Sequence, residues 1–294
     1  MAGHEAKTFV VTGANSGVGL ETARGLASTG AAVVMTARDR EKGQRALDDV
    51  YGTTGNDRLH LQLLDLADLE SVRRAAAELS EAHDRIDVLV NNAGLGTTAK
   101  GRTKDGFELV MGTNHVGPFA LTRALLPTLL ATAEGIGQAR VVNVSSLAHN
   151  FARSFDPDDL MPEGAGPNRA YADSKMANLL HARELAARYG DQGLIAHAVH
   201  PGFVDSDFMR PEHFPGAWQL VYKVTKPIQV TPEEGAKPSL HCALSEEAGR
   251  LNGFYWTKQK TKAPYLPEDV EQVQRRLWER TEVLIAEARR PTAA

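Results

Sequence analysis

The sequence predicts one α/β domain built on a doubly wound parallel sheet. Short apolar runs alternate with helical stretches over almost the whole 294-residue chain, as in strand–helix–strand units with right-handed crossovers. The first strand-like run, Thr8 to Thr12, is short, β-branched and apolar, which fits a strand buried in a parallel sheet better than an alternating surface strand. A glycine-rich turn joins the first of them to the first helix. We expect a seven-stranded parallel sheet flanked by helices, with no composition break that marks a second domain.

Composition and charge exclude several classes of partner and site. Lys plus Arg number 33 and Asp plus Glu number 37, so a net charge of -4 offers no electrostatic basis for binding nucleic acid. No apolar run approaches about 18 residues and no signal peptide is evident, so we expect no membrane span and a cytoplasmic location. The single cysteine, Cys242, excludes an internal disulfide, and the ten histidines lack metal-ligand spacing.

The first strand and the turn after it predict a phosphate site. The strand Thr8 to Thr12 leads into Gly13-Ala14-Asn15-Ser16-Gly17-Val18-Gly19, and a helical stretch follows from Leu20 to Ser28. Glycines let the backbone approach a pyrophosphate, and the helix N-terminus offers unpaired N–H groups. The spacing differs from the commonest dinucleotide fingerprint, and the alternative interpretation is a tight turn alone.

The end of the second strand predicts which dinucleotide binds. The strand Ala31 to Ala37 lacks the acidic residue that usually holds a ribose 2′-hydroxyl, and Arg38 follows at once. A guanidinium is planar, permanently charged and suited to a phosphate. The sequence therefore favours NADP(H) over NAD(H), although Arg38 could instead be a solvated residue at the strand end.

Polar residues follow the next strands at the edge where ligands bind in parallel sheets. A helix from Arg40 to Val50 precedes the third strand, Leu59 to Leu64, which is closed by Asp65-Leu66. After a helix capped by Asp68, the fourth strand ends in Asn91-Asn92-Ala93-Gly94. The pattern then predicts a helix over Phe107 to Leu130 that contains Asn114 and is bent near Gly117-Pro118.

The fifth strand, Ala139 to Val144, ends in Ser145-Ser146, whose hydroxyls can reach the same crevice. Residues 147–169 are loop-like, and Asp156-Pro157-Asp158-Asp159 lacks the ordered spacing of a calcium site. A helix is predicted over Ala170 to Tyr189.

Tyr171 and Lys175 lie four residues apart in that helix, so they share one face. A neighbouring cation stabilises a phenolate, which would lower the tyrosine pKa and make the phenol usable as a proton donor and acceptor. Taken alone, a pair at this spacing is more often a solvated helix face.

The last third of the chain predicts a sixth strand, Leu194 to Val199, followed by His200-Pro201-Gly202. Residues 203–230 are irregular and rich in aromatic side chains, which is typical either of a substrate loop or of a segment packed on the body. A helix over Thr231 to Leu244, a seventh strand over Gly253 to Thr257 and a last amphipathic helix complete the domain.

Together these residues resemble the short-chain dehydrogenase/reductase family, across roughly Thr8 to Thr257, and imply its Rossmann fold. The matching motifs are, in chain order, Thr12-Gly13-x-x-x-Gly17-x-Gly19, Asn91-Asn92-Ala93-Gly94, Asn114, Ser146, Tyr171-x-x-x-Lys175 and Pro201-Gly202. The longer pattern from Val141 to His149, with Lys175-x-Ala177-Asn178, is similar to the retinol-dehydrogenase-like branch. That branch acts on lipophilic carbonyls and alcohols, commonly with NADP(H).

The resemblance implies a role for each catalytic candidate. Tyr171 would be the general acid/base, and Lys175 would lower its pKa and hold the nicotinamide ribose. Ser146, rather than Ser145, would hydrogen-bond the substrate oxygen, so the substrate would contact Ser146 and Tyr171. Asn114 would hold a water that links Lys175 to solvent.

The resemblance also implies a set of cofactor-binding residues. Arg38 and Ser16 would take the 2′-phosphate, Asp65 and Leu66 would meet the adenine, and Ser206 would replace a threonine that contacts the carboxamide. The full set is Gly13, Asn15, Ser16, Gly17, Val18, Gly19, Arg38, Asp65, Leu66, Asn92, Ala93, Gly94, Tyr171, Lys175, Pro201, Gly202, Val204 and Ser206. Residues 8–145 would mainly bind the cofactor and residues 146–294 would supply the catalytic and substrate-binding part.

Two other functions stay open at this point. One is a cofactor-binding sensor or partner protein without turnover, although such proteins usually lose the catalytic residues that are present here. The other is a relative of the light-driven protochlorophyllide reductases, which rely on pocket cysteines and for which Cys242 is a poor candidate. We also expect a homo-oligomer formed through the long helices, including the one that carries Tyr171.

Overall fold

The computed structural model describes residues 4–161, 164, 166–204 and 229–288. Its strands form one sheet in the order β3-β2-β1-β4-β5-β6-β7-β8, and the pairs from β3 to β7 are parallel. The strands are β1 Thr8–Val11, β2 Ala32–Ala37, β3 Leu59–Leu63, β4 Val88–Asn91, β5 Ala139–Val144, β6 Leu194–His200, β7 Tyr255–Thr257 and β8 Lys260–Thr261.

Helices cover both faces of the sheet, which confirms the doubly wound arrangement. Buried side chains of α1, α2 and α7 form one apolar core with the sheet, and those of α3, α5, α6 and α9 form the other. The helices are α1 Gly17–Ala27, α2 Arg40–Thr54, α3 Leu69–Ala82, α4 Leu109–Met111, α5 Gly117–Ile136, α6 Pro167–Tyr189, α7 Pro232–Leu244, α8 Glu246–Arg250 and α9 Val270–Ala288.

The predicted strand count was one too low among the described residues. The short strand β8 pairs antiparallel with β7, through Trp256 with Thr261 and Thr257 with Lys260. The two residues between them, Lys258 and Gln259, have φ values of 49° and 56°. Left-handed turns of this kind are usually marked by Asn or Gly, so Lys-Gln provided no hairpin signal.

The helix predicted around Asn114 is interrupted rather than merely bent. One π-helical turn, Gly112–Val116, separates α4 from α5, and Asn114 lies at its middle. Such turns are rare in proteins, and those that occur are often found at functional sites. Pro118 then lies in the first turn of α5, a position that proline often occupies.

By length and composition, Leu109–Ile136 is the described helical stretch that could cross a membrane. Its most apolar window is 67% buried inside the fold, as expected for the core helix of an α/β domain. The absence of a membrane span stays a prediction.

The last helix, α9, which the sequence predicted to be amphipathic, packs its apolar side on α5 and α6. Trp278 is 2% exposed and meets the Phe119 ring edge-on at 4.8 Å between centroids. The Arg188 guanidinium covers the same indole at 4.8 Å, and His115 Nε2 lies 3.1 Å from Thr281 Oγ1. The helix α9 therefore covers part of α5 and α6, the long helices through which we expect a second copy to bind. The homo-oligomer stays a prediction.

Candidate active site

The glycine-rich turn leaves its backbone open to a ligand. Gly13 and Gly17 have φ values of 64° and 56°, which favour glycine. A Cβ on Gly19 would collide with the Asn92 amide and the Gly13 carbonyl oxygen. Ser16 precedes α1 without making a side-chain capping bond, so the first N–H groups of α1 keep their capacity for an anion.

Thr12 and Asn92 hold this turn against the end of β4. The N–H groups of Asn92 and Ala93 donate to Thr12 Oγ1 at 2.9 and 3.0 Å, and Asn92 Nδ2 donates to the Thr12 carbonyl at 2.9 Å. The family resemblance implied that residues 92–94 bind the cofactor. The structure gives Asn92 a further role, because its amide braces the turn that would hold the phosphates.

The carboxyl ends of β2 and β3 lie beside the same turn. Ala14 N–H donates to the Thr36 carbonyl at 2.9 Å, which places the exposed Arg38 at this edge. Asp65 Oδ1 accepts from Ala67 N–H at 2.9 Å, and the Leu66 carbonyl lies directly against Gly117. The glycine-rich turn and the free N–H groups at the start of α1 fit the phosphates of a nicotinamide dinucleotide.

Tyr171 and Ser146 are joined by a side-chain hydrogen bond, which brings the N-terminal part of α6 to the end of β5. Burial raises the pKa of Tyr171, and the bond to Ser146 lowers it by a smaller amount. This direction is opposite to the lowered tyrosine pKa that the sequence predicted from Lys175. The physical reason is the desolvation of the buried phenol, which disfavours the phenolate more than the neighbouring groups favour it.

Lys175 is buried beside Tyr171. Its Nζ donates to the Val144 carbonyl at 3.2 Å and lies 5.5 Å from the centre of the Tyr171 ring. Burial lowers the pKa of Lys175 to about 8. An ammonium with this lowered pKa can give up and regain a proton near neutral pH, so Lys175 is suited to a proton-transfer chain.

The two adjacent serines have different contacts. Ser145 is 1% exposed, and its hydroxyl donates to the Lys175 carbonyl at 2.7 Å. Ser146 Oγ accepts from Ala148 N–H at 3.2 Å and faces Tyr171. The structure thus brings Ser146 to Tyr171, whereas Ser145 anchors α6 to the sheet.

Asn114 joins the loop after β4 to α6. Its Oδ1 accepts from Leu95 N–H at 2.6 Å, and its Nδ2 donates to the Leu95 carbonyl at 3.0 Å and to Ser174 Oγ at 3.1 Å. A Cβ on Gly94 would lie 3.2 Å from Asn114 Oδ1 and 3.5 Å from Lys175 Nζ, so both groups border this glycine. Asn114 therefore has a positioning role, and the water relay stays a prediction.

Sequence reasoning missed a buried polar network behind these residues. Asn91 Nδ2 donates to Asn143 Oδ1 at 2.9 Å, and Asn143 Nδ2 lies 3.2 Å from His181 Nδ1. Asn178 Nδ2 donates to the Val144 carbonyl at 3.2 Å, beside Lys175. The available signal was the polar residue Asn143 within an otherwise apolar strand, because a buried amide needs partners.

The remaining predicted residues are only partly described. Gly202 has a φ of 96°, and Val204 forms a parallel bridge with Val230. Ser206 lies outside the described residues, as do 205–228 of the predicted substrate loop.

The residues singled out for metal or cysteine chemistry lie elsewhere or have other partners. Cys242 is buried in α7 with a pKa raised by burial, so it is not a reactive pocket thiol. Asp158 pairs with Arg276. No group of three or more potential metal ligands occurs in the part of the chain that the structure describes.

Comparisons with known proteins agree with this geometry. The short chain dehydrogenase family model matches residues 7–214. Human retinol dehydrogenase 13 is 38% identical over 285 residues, covering 92% of this chain and 82% of that protein. An uncharacterised protein from Mycobacterium paratuberculosis has a similar structure, with a TM-score of 0.73, 34% identity and coverage of 95% of this chain and 93% of that one.

A Pseudomonas aeruginosa RhlG/NADP complex is also similar, with a TM-score of 0.69, 26% identity and coverage of 87% of this chain and 96% of that one. The family model spans more than half of this chain, and the retinol dehydrogenase resembles it over nearly its full length. The chain therefore belongs to the short-chain dehydrogenase/reductase family of oxidoreductases, in its retinol-dehydrogenase-like branch.

Proposed function

We propose that this protein is an NADP(H)-dependent oxidoreductase that interconverts a lipophilic aldehyde or ketone and its alcohol. The observation that carries the proposal is the hydrogen bond between Tyr171 and Ser146, with the buried Lys175 ammonium above the phenol ring. A polar pair of this kind can hold a carbonyl oxygen and supply its proton.

Ser146, Tyr171 and Lys175 have different roles in the proposed reaction. Ser146 donates a hydrogen bond to the substrate oxygen and orients the carbonyl carbon, and Tyr171 gives that oxygen a proton in reduction or removes one in oxidation. Lys175, whose pKa burial lowers to about 8, returns a proton to Tyr171. The nicotinamide cofactor, when bound, supplies or accepts the hydride.

The choice of NADP(H) rests on Arg38, which is exposed directly after β2, and on Ala37, which ends that strand where an NAD-preferring site usually has an acidic residue. The NADP bound to the similar RhlG structure supports it. The lipophilic substrate class rests on the likeness to retinol dehydrogenases. A cytoplasmic location stays a prediction from the sequence.

The test is oxidation of NADPH by the purified protein with a panel of lipophilic aldehydes and ketones, with NADH in parallel. Turnover with NADPH on any member supports the proposal, and faster turnover with NADH contradicts the cofactor assignment. Measurable NADPH binding without turnover on any panel member would favour the sensor function.

Replacing Arg38 by aspartate should reverse the cofactor preference. The carboxylate repels a 2′-phosphate and accepts a hydrogen bond from a 2′-hydroxyl, so NADPH affinity should fall by about 10- to 100-fold while NADH affinity is kept or improved. Cofactor dissociation constants measured by fluorescence titration check this. The matched control is Arg45→Asp on the exposed face of α2, which makes the same charge change away from the glycine turn. An unchanged NADPH affinity in Arg38→Asp would refute the assignment.

A further inference from the structure

His149 lies in the short turn that directly follows Ser146. It belongs to the 3₁₀ turn Leu147–Phe151, which Ser146 caps, and its side chain is 1% exposed. Its Nδ1 lies 2.6 Å from the Ser146 carbonyl oxygen, and its backbone N–H donates to the same oxygen at 3.1 Å. Two hydrogen bonds from one residue thus converge on the backbone of Ser146.

The partner of Nδ1 fixes the tautomer of His149. A carbonyl oxygen only accepts, so Nδ1 carries the ring proton and Nε2 holds a lone pair. Nε2 has no hydrogen-bond partner among the described residues. The ring meets Tyr255 edge-on, with 5.0 Å between centroids and an interplanar angle of 67°. The bond to Ser146 and the contact with β7 together define the ring orientation.

The orientation of the Ser146 side chain depends on this clamp. Ser146 is extended, with φ and ψ of -156° and 158°. Its Cα joins the carbonyl that His149 holds to the side chain that bonds to Tyr171. The next residues form one short turn, and the ring of His149 is the side chain that donates to the Ser146 carbonyl. A reacting oxygen must be held within a few tenths of an ångström, which a single backbone hydrogen bond in a short turn does not ensure.

We propose that His149 is a positioning residue for the reaction: its Nδ1–H holds the Ser146 carbonyl, and through it the hydroxyl that orients the substrate oxygen. This inference rests on the proposed function. It predicts an effect on kcat rather than on cofactor binding, because the His149 ring bonds to Ser146 and packs edge-on against Tyr255, and both residues lie outside the glycine-rich turn.

The test compares His149→Leu with His149→Asn. The two side chains have nearly the same size and lose the ring contact with Tyr255 equally, but the Asn amide places a donor where Nδ1 was. We expect His149→Leu to lower kcat by about 10- to 100-fold, with the NADPH dissociation constant within about twofold, and His149→Asn to restore kcat to within about threefold. Equal losses in both variants, or no loss in either, would overturn the inference.

His197→Leu is the matched control. His197 is also 1% exposed, and its Nε2 lies 2.9 Å from the Ala248 carbonyl, so the substitution removes a similar buried ring–carbonyl bond away from Ser146. It should lower the melting temperature and leave kcat within about twofold. If His149→Leu does not fold, His149→Gln replaces it, because its longer amide cannot reach the Nδ1 position; kcat equal to that of His149→Asn would then overturn the proposal.

A readout independent of turnover separates this inference from the proposed function. Hydrogen exchange by mass spectrometry should show faster exchange of residues 145–152 in His149→Leu than in the wild-type protein or in His149→Asn. A wild-type protein that turns over no carbonyl refutes the proposed function alone. Unchanged exchange in His149→Leu refutes the clamp, whatever the substrate is.

Discussion

Replacing Tyr171 by phenylalanine is expected to lower kcat by about a thousandfold or more while NADPH affinity stays within about twofold. The phenol is the group that exchanges a proton with the substrate oxygen, and positioned proton transfer contributes about 10²- to 10⁴-fold. Phenylalanine keeps the ring under the Lys175 ammonium and removes only the hydroxyl and its bond to Ser146. Single-turnover reduction with bound NADPH measures the effect, since it isolates the chemical step from product release.

The control is Tyr189→Phe, the same substitution at the C-terminal end of α6. Tyr189 packs near Trp278 and should leave kcat unchanged. Ser146→Ala gives an intermediate loss, because Tyr171 keeps its proton while the substrate oxygen loses one hydrogen-bond donor. A Tyr171→Phe variant that retains more than about a tenth of the wild-type kcat would show that another group transfers the proton.

The sequence was sufficient for the parts of this molecule that depend on local pattern. Strand-like runs that alternate with helical stretches predicted the parallel sheet. The glycine-rich turn predicted the positive φ values of Gly13 and Gly17, because glycine adopts those backbone angles readily. The four-residue spacing of Tyr171 and Lys175 correctly placed both side chains near one another.

What the sequence did not show depends on contacts between distant segments. The π-helical turn at Asn114 has no simple local signature, and it is seen only once the Asn114 amide meets Leu95 and Ser174. The raised Tyr171 pKa likewise follows from burial, which neighbouring charges in the sequence do not reveal. His149 appeared only as one letter of a motif until its ring was placed on the Ser146 carbonyl.

Replacing Lys175 by methionine is expected to abolish turnover and yet to stabilise the folded protein at neutral pH. Lys175 is 4% exposed, and burial lowers its pKa from 10.5 to about 8. The folded state therefore holds the charged ammonium less well than the unfolded chain does, at a cost of about 3 kcal/mol. Methionine has a similar length and no charge. The substitution removes the Lys175 hydrogen bond to the Val144 carbonyl, but that carbonyl keeps its hydrogen bond from Asn178 Nδ2.

The stability gain of Lys175→Met should depend on pH in one direction. Below about pH 8 the lysine is protonated in both the folded and unfolded wild-type protein, so the full cost is present and the gain is largest. Between about pH 8 and 10.5 the unfolded chain binds more protons than the folded one, so wild-type stability rises relative to the variant and the gain disappears. Urea unfolding of both proteins across this range measures the difference, in which the other titrating groups cancel.

The surface substitution Lys237→Met is the control, because Lys237 is exposed on α7 and pairs with Glu234. Its free energy of unfolding should differ from that of the wild type by less than about 0.5 kcal/mol at every pH. A Lys175→Met variant that is less stable than the wild type at pH 7, or whose difference does not change up to about pH 10.5, would show that the buried ammonium is not strained. A stability gain that disappears between about pH 8 and 10.5 would show that the buried Lys175 ammonium lowers the stability of the fold. The protein would then keep a destabilising residue beside Tyr171 for its function.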